Sequence, residues 1–97
     1  MNLERIASLP WLDCFSADAI ELIPEGTFAY HSGFLPADRD KDATVNYIAN
    51  ALYQHALKGH ITLLQYKAGF ASYVYIARKT RLGREISTQS RKLRHAH

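Results

Sequence analysis

The sequence contains a single cysteine, Cys14, and no apolar run that approaches the roughly 20 residues of a membrane-spanning helix. One thiol cannot form a disulfide within the chain, which is typical of proteins in a reducing compartment. The opening residues, MNLER, include an acid and lack the apolar stretch of a secretory signal. We therefore expect a cytoplasmic protein that does not insert into a membrane.

Motifs of common enzyme and metal sites are also missing. The glycines form neither a phosphate-binding loop nor a dinucleotide-binding pattern, and no C-x-x-C or H-x-x-x-H spacing occurs. Asp38, Asp40 and Asp42 have the spacing of a calcium loop, but Ala43 and Ala49 stand where such a loop needs glycine and glutamate. The sequence therefore predicts no enzyme, no cofactor and no metal.

Histidines are the other candidates for site chemistry. His55 and His60 are five residues apart and are predicted to lie on different elements, so we expect ordinary hydrogen-bonded side chains. His31 and Ser32 are the nearest base and nucleophile, but adjacent residues of an extended chain point to opposite sides.

Charge is distributed unevenly along the chain. Residues 1–42 hold eight acids and three bases, a balance of −5, whereas residues 43–97 hold nine bases and one acid, a balance of +8. Such asymmetry favours a polyanionic partner for the C-terminal half. The alternative is a basic tail that only increases solubility.

The clearest predicted element is a helix over residues 43–58. Asp42 precedes it as a good N-cap, and Gly59 follows it where a C-cap glycine belongs. Its apolar residues recur at the spacing of one helix face: Val45, Ile48, Ala49, Leu52 and Ala56.

Strand-forming residues lie on both sides of this helix. A short strand is predicted over residues 27–31, and two strands over residues 61–67 and 71–78 are joined by a turn so short that it forces an antiparallel hairpin. Residues 16–23 favour a helical stretch, with a strand over residues 19–23 as the alternative.

The predicted class is therefore α+β, with residues 1–78 as one domain and residues 79–97 as a basic, mobile tail. Residues 34–41 are predicted to be a loop. If that loop contains a helical turn after Pro36, the order of elements is that of a winged helix, with the hairpin as the wing. Without that turn, the predicted fold is a βαββ sandwich, in which one helix packs on three strands. The sequence does not distinguish the winged helix from the sandwich.

The predicted long helix has an unusual outer face, since no Lys, Arg, Asp or Glu occurs from Ala43 through Leu57. Amide side chains can pair with adenine in the major groove, and tyrosine can reach phosphates. An uncharged face rich in tyrosine equally suits a protein interface, a homodimer or a half-buried helix. The candidate contacts on this face are Asn46, Tyr47, Asn50, Tyr53 and Gln54.

Cations accompany the predicted hairpin and are the second half of the candidate DNA site. Lys67 lies at its turn, and four bases end or follow its second strand: Arg78, Lys79, Arg81 and Arg84. A wing with cations at its tip and base would contact phosphates, and Arg91, Lys92 and Arg94 would add attraction. The alternative is that these are edge-strand charges that discourage aggregation. Recognition of DNA further requires one continuous electropositive strip beside the long helix.

Four segments together resemble small phage and prophage proteins of unassigned function, many of which are built around winged-helix modules: YHSGFL (30–35), DR (38–39), GHITLLQ (59–65) and YVYIA (73–77). The resemblance lies within residues 27–78. It implies an accessory protein of a mobile element, either a small regulator or an inhibitor of a host system. We therefore expect a DNA-binding protein, such as a transcriptional regulator, with a protein-interaction module or homodimeric adaptor as the alternative.

Overall fold

In the computed structural model, three antiparallel strands form one sheet in the order β1-β3-β2, and four helices accompany it. The structure describes residues 3–12, 17 and 19–95. The α+β prediction is confirmed. In chain order the elements are α1 (Leu3–Ala7), a 3-10 helix (Ile20–Leu22), β1 (Thr27–Gly33), α2 (Leu35–Lys41), α3 (Ala43–Leu57), β2 (Ile61–Gly69), β3 (Ser72–Lys79) and α4 (Arg81–His95).

The long helix α3 forms where the sequence predicted it. Asp42 caps its N-terminus, because its carboxylate accepts hydrogen bonds from the backbone N–H groups of Thr44 and Val45. Its C-terminal end is followed by Gly59 at φ +79°, a left-handed conformation that favours glycine. Leu52, on its inner face, is completely buried.

Helix α2 occupies the segment that was predicted to be a loop, for which a helical turn after Pro36 was the alternative, and it extends over Leu35–Lys41. Pro36 lies in its first turn, where the missing backbone N–H has no cost, and the carboxylate of Asp38 accepts a hydrogen bond from the Phe34 N–H at 3.1 Å. Only Asp42 separates α2 from α3. Two successive helices therefore connect β1 to the hairpin.

The hairpin turn lies further along the chain than predicted. Strand β2 continues to Gly69, so the turn consists of Phe70 and Ala71 instead of residues 68–70. Ala71 has a positive φ of 51°. Strand β1 is also longer than predicted and contains a bulge at Tyr30, which shifts its register against β3.

The core lies between the sheet and the helices. Phe28 of β1 and Ala77 of β3 face each other in the register and are fully buried. Burial of this apolar surface is the main stabilising term of the fold. The cluster comprises Ile20, Ile23, Phe28, Leu52, Ile61 and Ala77.

Most of the segment after residue 78, which was predicted to be a mobile tail, forms helix α4, Arg81–His95. Thr80 starts the helix by accepting a hydrogen bond from the Gly83 N–H. The helix packs against the 3-10 helix and β3. Its buried Ser87 donates a hydrogen bond to the Ile20 carbonyl at 3.1 Å, and the half-buried Ile86 packs against the core, so a polar and an apolar contact together attach this helix.

The two edges of the sheet differ. Beside β1, the Leu12 N–H donates to the Ala29 carbonyl and the Ala29 N–H donates to the Pro10 carbonyl, both at 2.9 Å. Strand β2 forms the opposite edge, and no strand of the described residues pairs with its outer side.

Some predictions fall partly or wholly outside the described residues. Cys14 lies outside them, and of the predicted stretch 16–23 the structure describes a 3-10 helix at Ile20–Leu22. Among the described helices, none has the length and apolar character needed to cross a bilayer.

Candidate functional site

The candidate contacts of α3 lie mostly on its solvent side. Tyr47 is 44% exposed and Tyr53 is 53% exposed, and Asn50 and Gln54 are also exposed. Asn46 is half-buried. This surface therefore has the uncharged character that the sequence indicated.

Two of these amides are already engaged within the chain. The guanidinium of Arg39, on α2, donates from Nε to the Asn46 side-chain oxygen at 3.0 Å and from Nη2 to that of Asn50. An asparagine that reads adenine uses the same oxygen as an acceptor. Base recognition by Asn46 or Asn50 would therefore require Arg39 to release them.

Acidic side chains surround the beginning of α3. Asp42 caps the helix, and Asp40 is exposed on α2. Asp38 accepts a hydrogen bond from His31 Nε2 at 2.7 Å, and this bond is the main reason that the pKa of the Asp38 carboxyl lies below its usual value. Arg39 and Lys41 in the same segment offset most of this negative charge, so the beginning of α3 offers no net positive surface to phosphates.

The predicted cations do not form one strip beside α3. Arg78 pairs with Thr62 in the register, whereas Lys67 lies five residues further along β2, a separation of about 16 Å at the rise of a strand. Lys67 is thus at the hairpin end of the sheet, and Arg78 is at the end from which α4 begins. The predicted tip and base of the wing are separate surfaces.

Lys79 must be removed from the candidate phosphate contacts. Its side chain faces the core and is only 1% exposed. The ammonium forms an ion pair with Glu25 at 3.0 Å and donates to the Ser87 hydroxyl at 2.9 Å. A buried cation of this kind needs such partners, because leaving it unpaired would be strongly destabilising.

Helix α4 instead provides a cationic surface that sequence reasoning assigned to a mobile tail. Arg81 and Arg84 are exposed, with Lys92 on the same side, and Glu85 forms an exposed ion pair with Arg81 at 3.3 Å. From Arg81 to Lys92 the helix rises about 16 Å. We call this surface the α4 basic face, and its residues are Arg81, Arg84, Glu85, Thr88, Gln89 and Lys92.

A shallow cleft of about 310 Å³ lies on the sheet beside α2. Burial raises the pKa of Tyr30, in its wall, to about 12, so this phenol stays protonated at neutral pH. Tyr75 accepts a hydrogen bond from the Leu35 N–H at 3.1 Å, which joins the sheet to α2. The cleft is lined by Tyr30, Leu35, Leu63, Leu64, Gln65 and Tyr75.

The rings of His55, in the last turn of α3, and His60, just after this helix, lie close together. The rings of His55 and His60 have centroids 6.2 Å apart, and His55 Nε2 donates to the Ala17 carbonyl at 3.0 Å. Both Nδ1 atoms are buried and lack a hydrogen-bond partner in the described part of the chain. The described residues contain no group of three or more His, Cys, Asp or Glu placed to hold a metal ion.

Comparisons with protein-family models, with curated proteins and with solved structures found no match to this chain.

Proposed function

We propose that the protein binds duplex DNA through phosphate contacts made by the α4 basic face. The observation that carries this proposal is that Arg81, Arg84 and Lys92 are exposed together on one side of a helix that is anchored to the domain. Because the backbone of this helix is already ordered, only the side chains of these cations lose conformational freedom when they contact phosphates. The single acid on this face, Glu85, already pairs with Arg81.

The order of elements supports a winged-helix arrangement for this DNA-binding protein. Helices α2 and α3 follow β1 with one residue between them, and the hairpin β2–β3 completes the sheet. The electropositive strip that recognition by α3 requires is absent, because Lys79 is buried and Lys67 and Arg78 lie at opposite ends of the sheet. Recognition of a groove by α3 is therefore not part of this proposal. Since Arg39 holds two of the asparagines, we assign the affinity to phosphate contacts of α4 and not to base recognition. A regulatory role in a mobile element depends on the resemblance of residues 27–78 and requires sequence-selective binding.

The test is a fluorescence-anisotropy titration on random duplex DNA over a salt series. We expect binding at about 50 mM salt, with affinity falling as salt rises. The double variant Arg84→Gln/Lys92→Gln should bind more weakly, and its slope of log K against log salt should be shallower by about 2.

Lys67→Gln is the matched control, because it removes one exposed cation at the other end of the sheet. We expect it to leave affinity and slope unchanged. If the wild-type protein does not bind at about 50 mM salt, DNA binding is wrong. If Lys67→Gln weakens binding as much as the double variant, the assignment to α4 is wrong.

The second candidate function is a protein interface on the outer side of α3. Leu57 is 63% exposed and Tyr53 is 53% exposed, on a helix without charged residues from Ala43 to Leu57. Aromatic residues are enriched, and charges depleted, at the centres of protein interfaces. Light scattering of Tyr47→Ala/Tyr53→Ala tests self-association through this face, because an unchanged mass in the variant would exclude α3 as a dimer interface.

A further inference from the structure

The outer edge of β2 presents a regular row of backbone groups. The Thr80 N–H donates to the His60 carbonyl at 2.9 Å, whereas the Lys79 N–H donates to the Gly26 carbonyl at 3.1 Å, on the other side of β3. In an antiparallel sheet, the N–H and C=O groups of successive residues point to alternate sides of a strand, and these two bonds show which residues point to which side. The residues of β2 whose N–H and C=O point away from β3 are therefore Ile61, Leu63, Gln65 and Lys67.

Most of this edge is open to solvent. Leu64 is 47% exposed, and Gln65 and Lys67 are exposed beside it. In the described part of the chain, no group forms a hydrogen bond to the outward backbone of Leu63, Gln65 or Lys67. A long edge strand without proline and with one charge has few of the features that prevent pairing with another strand.

The shallow cleft lies directly beside this edge. Leu63, Leu64 and Gln65 of β2 line it together with Tyr75 of β3 and Leu35 of α2. A strand added to β2 would place alternate side chains on the same face of the sheet as the cleft. An apolar side chain of the added strand on that face would therefore lie at the cleft mouth.

We propose that the β2 edge of a second copy of this chain pairs antiparallel with this edge, in a register centred on Leu64, to form a continuous six-stranded sheet. In this register Leu64 meets Leu64 of the second copy, and Leu63 meets Gln65 of the second copy. The unpaired N–H and C=O groups of one β2 edge then face the unpaired groups of the other β2 edge. Both copies make the same contacts, as an isologous two-fold interface requires.

Charge and side-chain chemistry favour a second copy as the occupant. Lys67, the only charged residue of β2, lies opposite Ile61 of the second copy, so no like charges face each other. The exposed Leu64 side chains cover each other at the two-fold axis, and Leu63 of the second copy reaches the mouth of the cleft. This dimer does not depend on DNA binding.

A cysteine cross-link tests the register. In the background Cys14→Ser, Leu64→Cys would place its thiol opposite its own copy at a non-hydrogen-bonded position, with Cα atoms about 4.5 Å apart. We expect rapid formation of a covalent dimer under mild oxidation. Phe70→Cys in the same background is the control, because Phe70 is 98% exposed but lies at the hairpin turn, away from the axis. Equal rates for the two variants would overturn the register.

Sedimentation equilibrium tests the dimer itself. We expect the mass to rise from one chain of 11.0 kDa to two with increasing concentration. Gln65→Pro removes an N–H that points away from β3, so it should keep the fold by circular dichroism but remain monomeric, whereas Gln65→Ala should still dimerise. A wild-type protein that stays monomeric at about 1 mM overturns the proposal. So does a folded Gln65→Pro variant that dimerises like the wild type. DNA binding is measured separately. A monomer that binds DNA would therefore contradict only the dimer, and a dimer that does not bind DNA would contradict only the proposed function.

Discussion

The ammonium group of Lys79 lies 2.9 Å from the hydroxyl oxygen of Ser87 and donates a hydrogen bond to it. Ser87 in turn donates to the Ile20 carbonyl, so three elements meet at one hydroxyl. Glu25 completes the pairing of the buried cation. This polar junction attaches α4 to the sheet and thereby fixes the position of the α4 basic face.

Removal of the Ser87 hydroxyl should loosen this attachment. We expect Ser87→Ala to lower the free energy of unfolding by about 1–3 kcal/mol, because it leaves the buried Lys79 ammonium and Ile20 carbonyl each without one partner. Chemical denaturation measures the change. Thr88→Ala is the control: its hydroxyl donates to the Arg84 carbonyl on the exposed side, and its loss should cost less than about 0.5 kcal/mol. Equal losses in the two variants would contradict the role of Ser87.

Gly83 should not tolerate a side chain, although it lies within a helix. Alanine at an open helix position would stabilise by about 0.5–1 kcal/mol relative to glycine. At Gly83, however, a Cβ atom would lie 2.0 Å from the His60 carbonyl oxygen, so backbone must move. We therefore expect Gly83→Ala to destabilise by about 1–3 kcal/mol and to increase protease cleavage in α4.

A stabilised Gly83→Ala variant would show that α4 does not pack this closely. Gln89→Ala, on the exposed side of the same helix, is the comparison, and it should leave stability and cleavage nearly unchanged.

Stability should fall below neutral pH because of His60. Burial, with His55 and Lys58 nearby, lowers the pKa of His60 in the folded chain from its ordinary 6.5. Between the two pKa values the unfolded chain binds a proton that the folded chain does not. The stabilising contribution of neutral His60 is therefore complete above pH 6.5, and it is lost as the pH falls through the lower pKa of His60 in the folded chain.

His60→Gln should make Tm less dependent on pH between about 7 and 5, because the variant lacks this titration. Thermal denaturation of the wild type and the variant over the same pH range measures the difference in Tm. The carboxylates titrate in both proteins, so their contributions cancel in this difference. An equally steep fall in the variant would mean that His60 is not responsible.

The start of α3 depends on one carboxylate. Asp42 accepts hydrogen bonds from the N–H groups of Thr44 and Val45, so Asp42→Ala should cost about 0.5–2 kcal/mol of unfolding free energy. Asp40→Ala removes an exposed carboxylate of the neighbouring helix and should change stability by less than about 0.5 kcal/mol. Urea titrations of the pair separate capping from a general effect of charge.

Sequence reasoning predicted the elements whose signals are local. Helix α3 was predicted over residues 43–58 and spans Ala43–Leu57, because its apolar spacing and its caps agree. The hairpin was predicted for a similar reason, and its strands differ by one or two residues at three of their four ends. Helix α2 was missed as an element because Pro36 and several acids have the composition of a loop, whereas the bond from Phe34 to Asp38 is visible only in three dimensions.

Helix α4 and the role of Lys79 could not be predicted from periodicity. The described inward residues of α4 include Gly83, Ser87 and the half-buried Ile86. The only apolar residues with the spacing of one helix face are Leu82, Ile86 and Leu93, which is a sparse signal in a segment of mostly polar residues. The sequence also counts Lys79 as one more cation of the tail, although its position on the core face of β3 buries it. The signal that could have indicated this was its place within the strand alternation, on the same side as Ala77 and Tyr75.

The contact of the N-terminal segment with Ala29 has a consequence for stoichiometry. A sheet that is open on both sides can add chains without end and grow into a filament, whereas a sheet that is blocked on one side can add only one partner. Pro10 and Leu12 occupy the β1 side at Ala29. Under the proposed pairing of β2 edges, assembly would therefore end at two chains, because a third chain could not pair with β1 at Ala29 while Pro10 and Leu12 bond to it. Detachment of this short N-terminal segment would remove that limit.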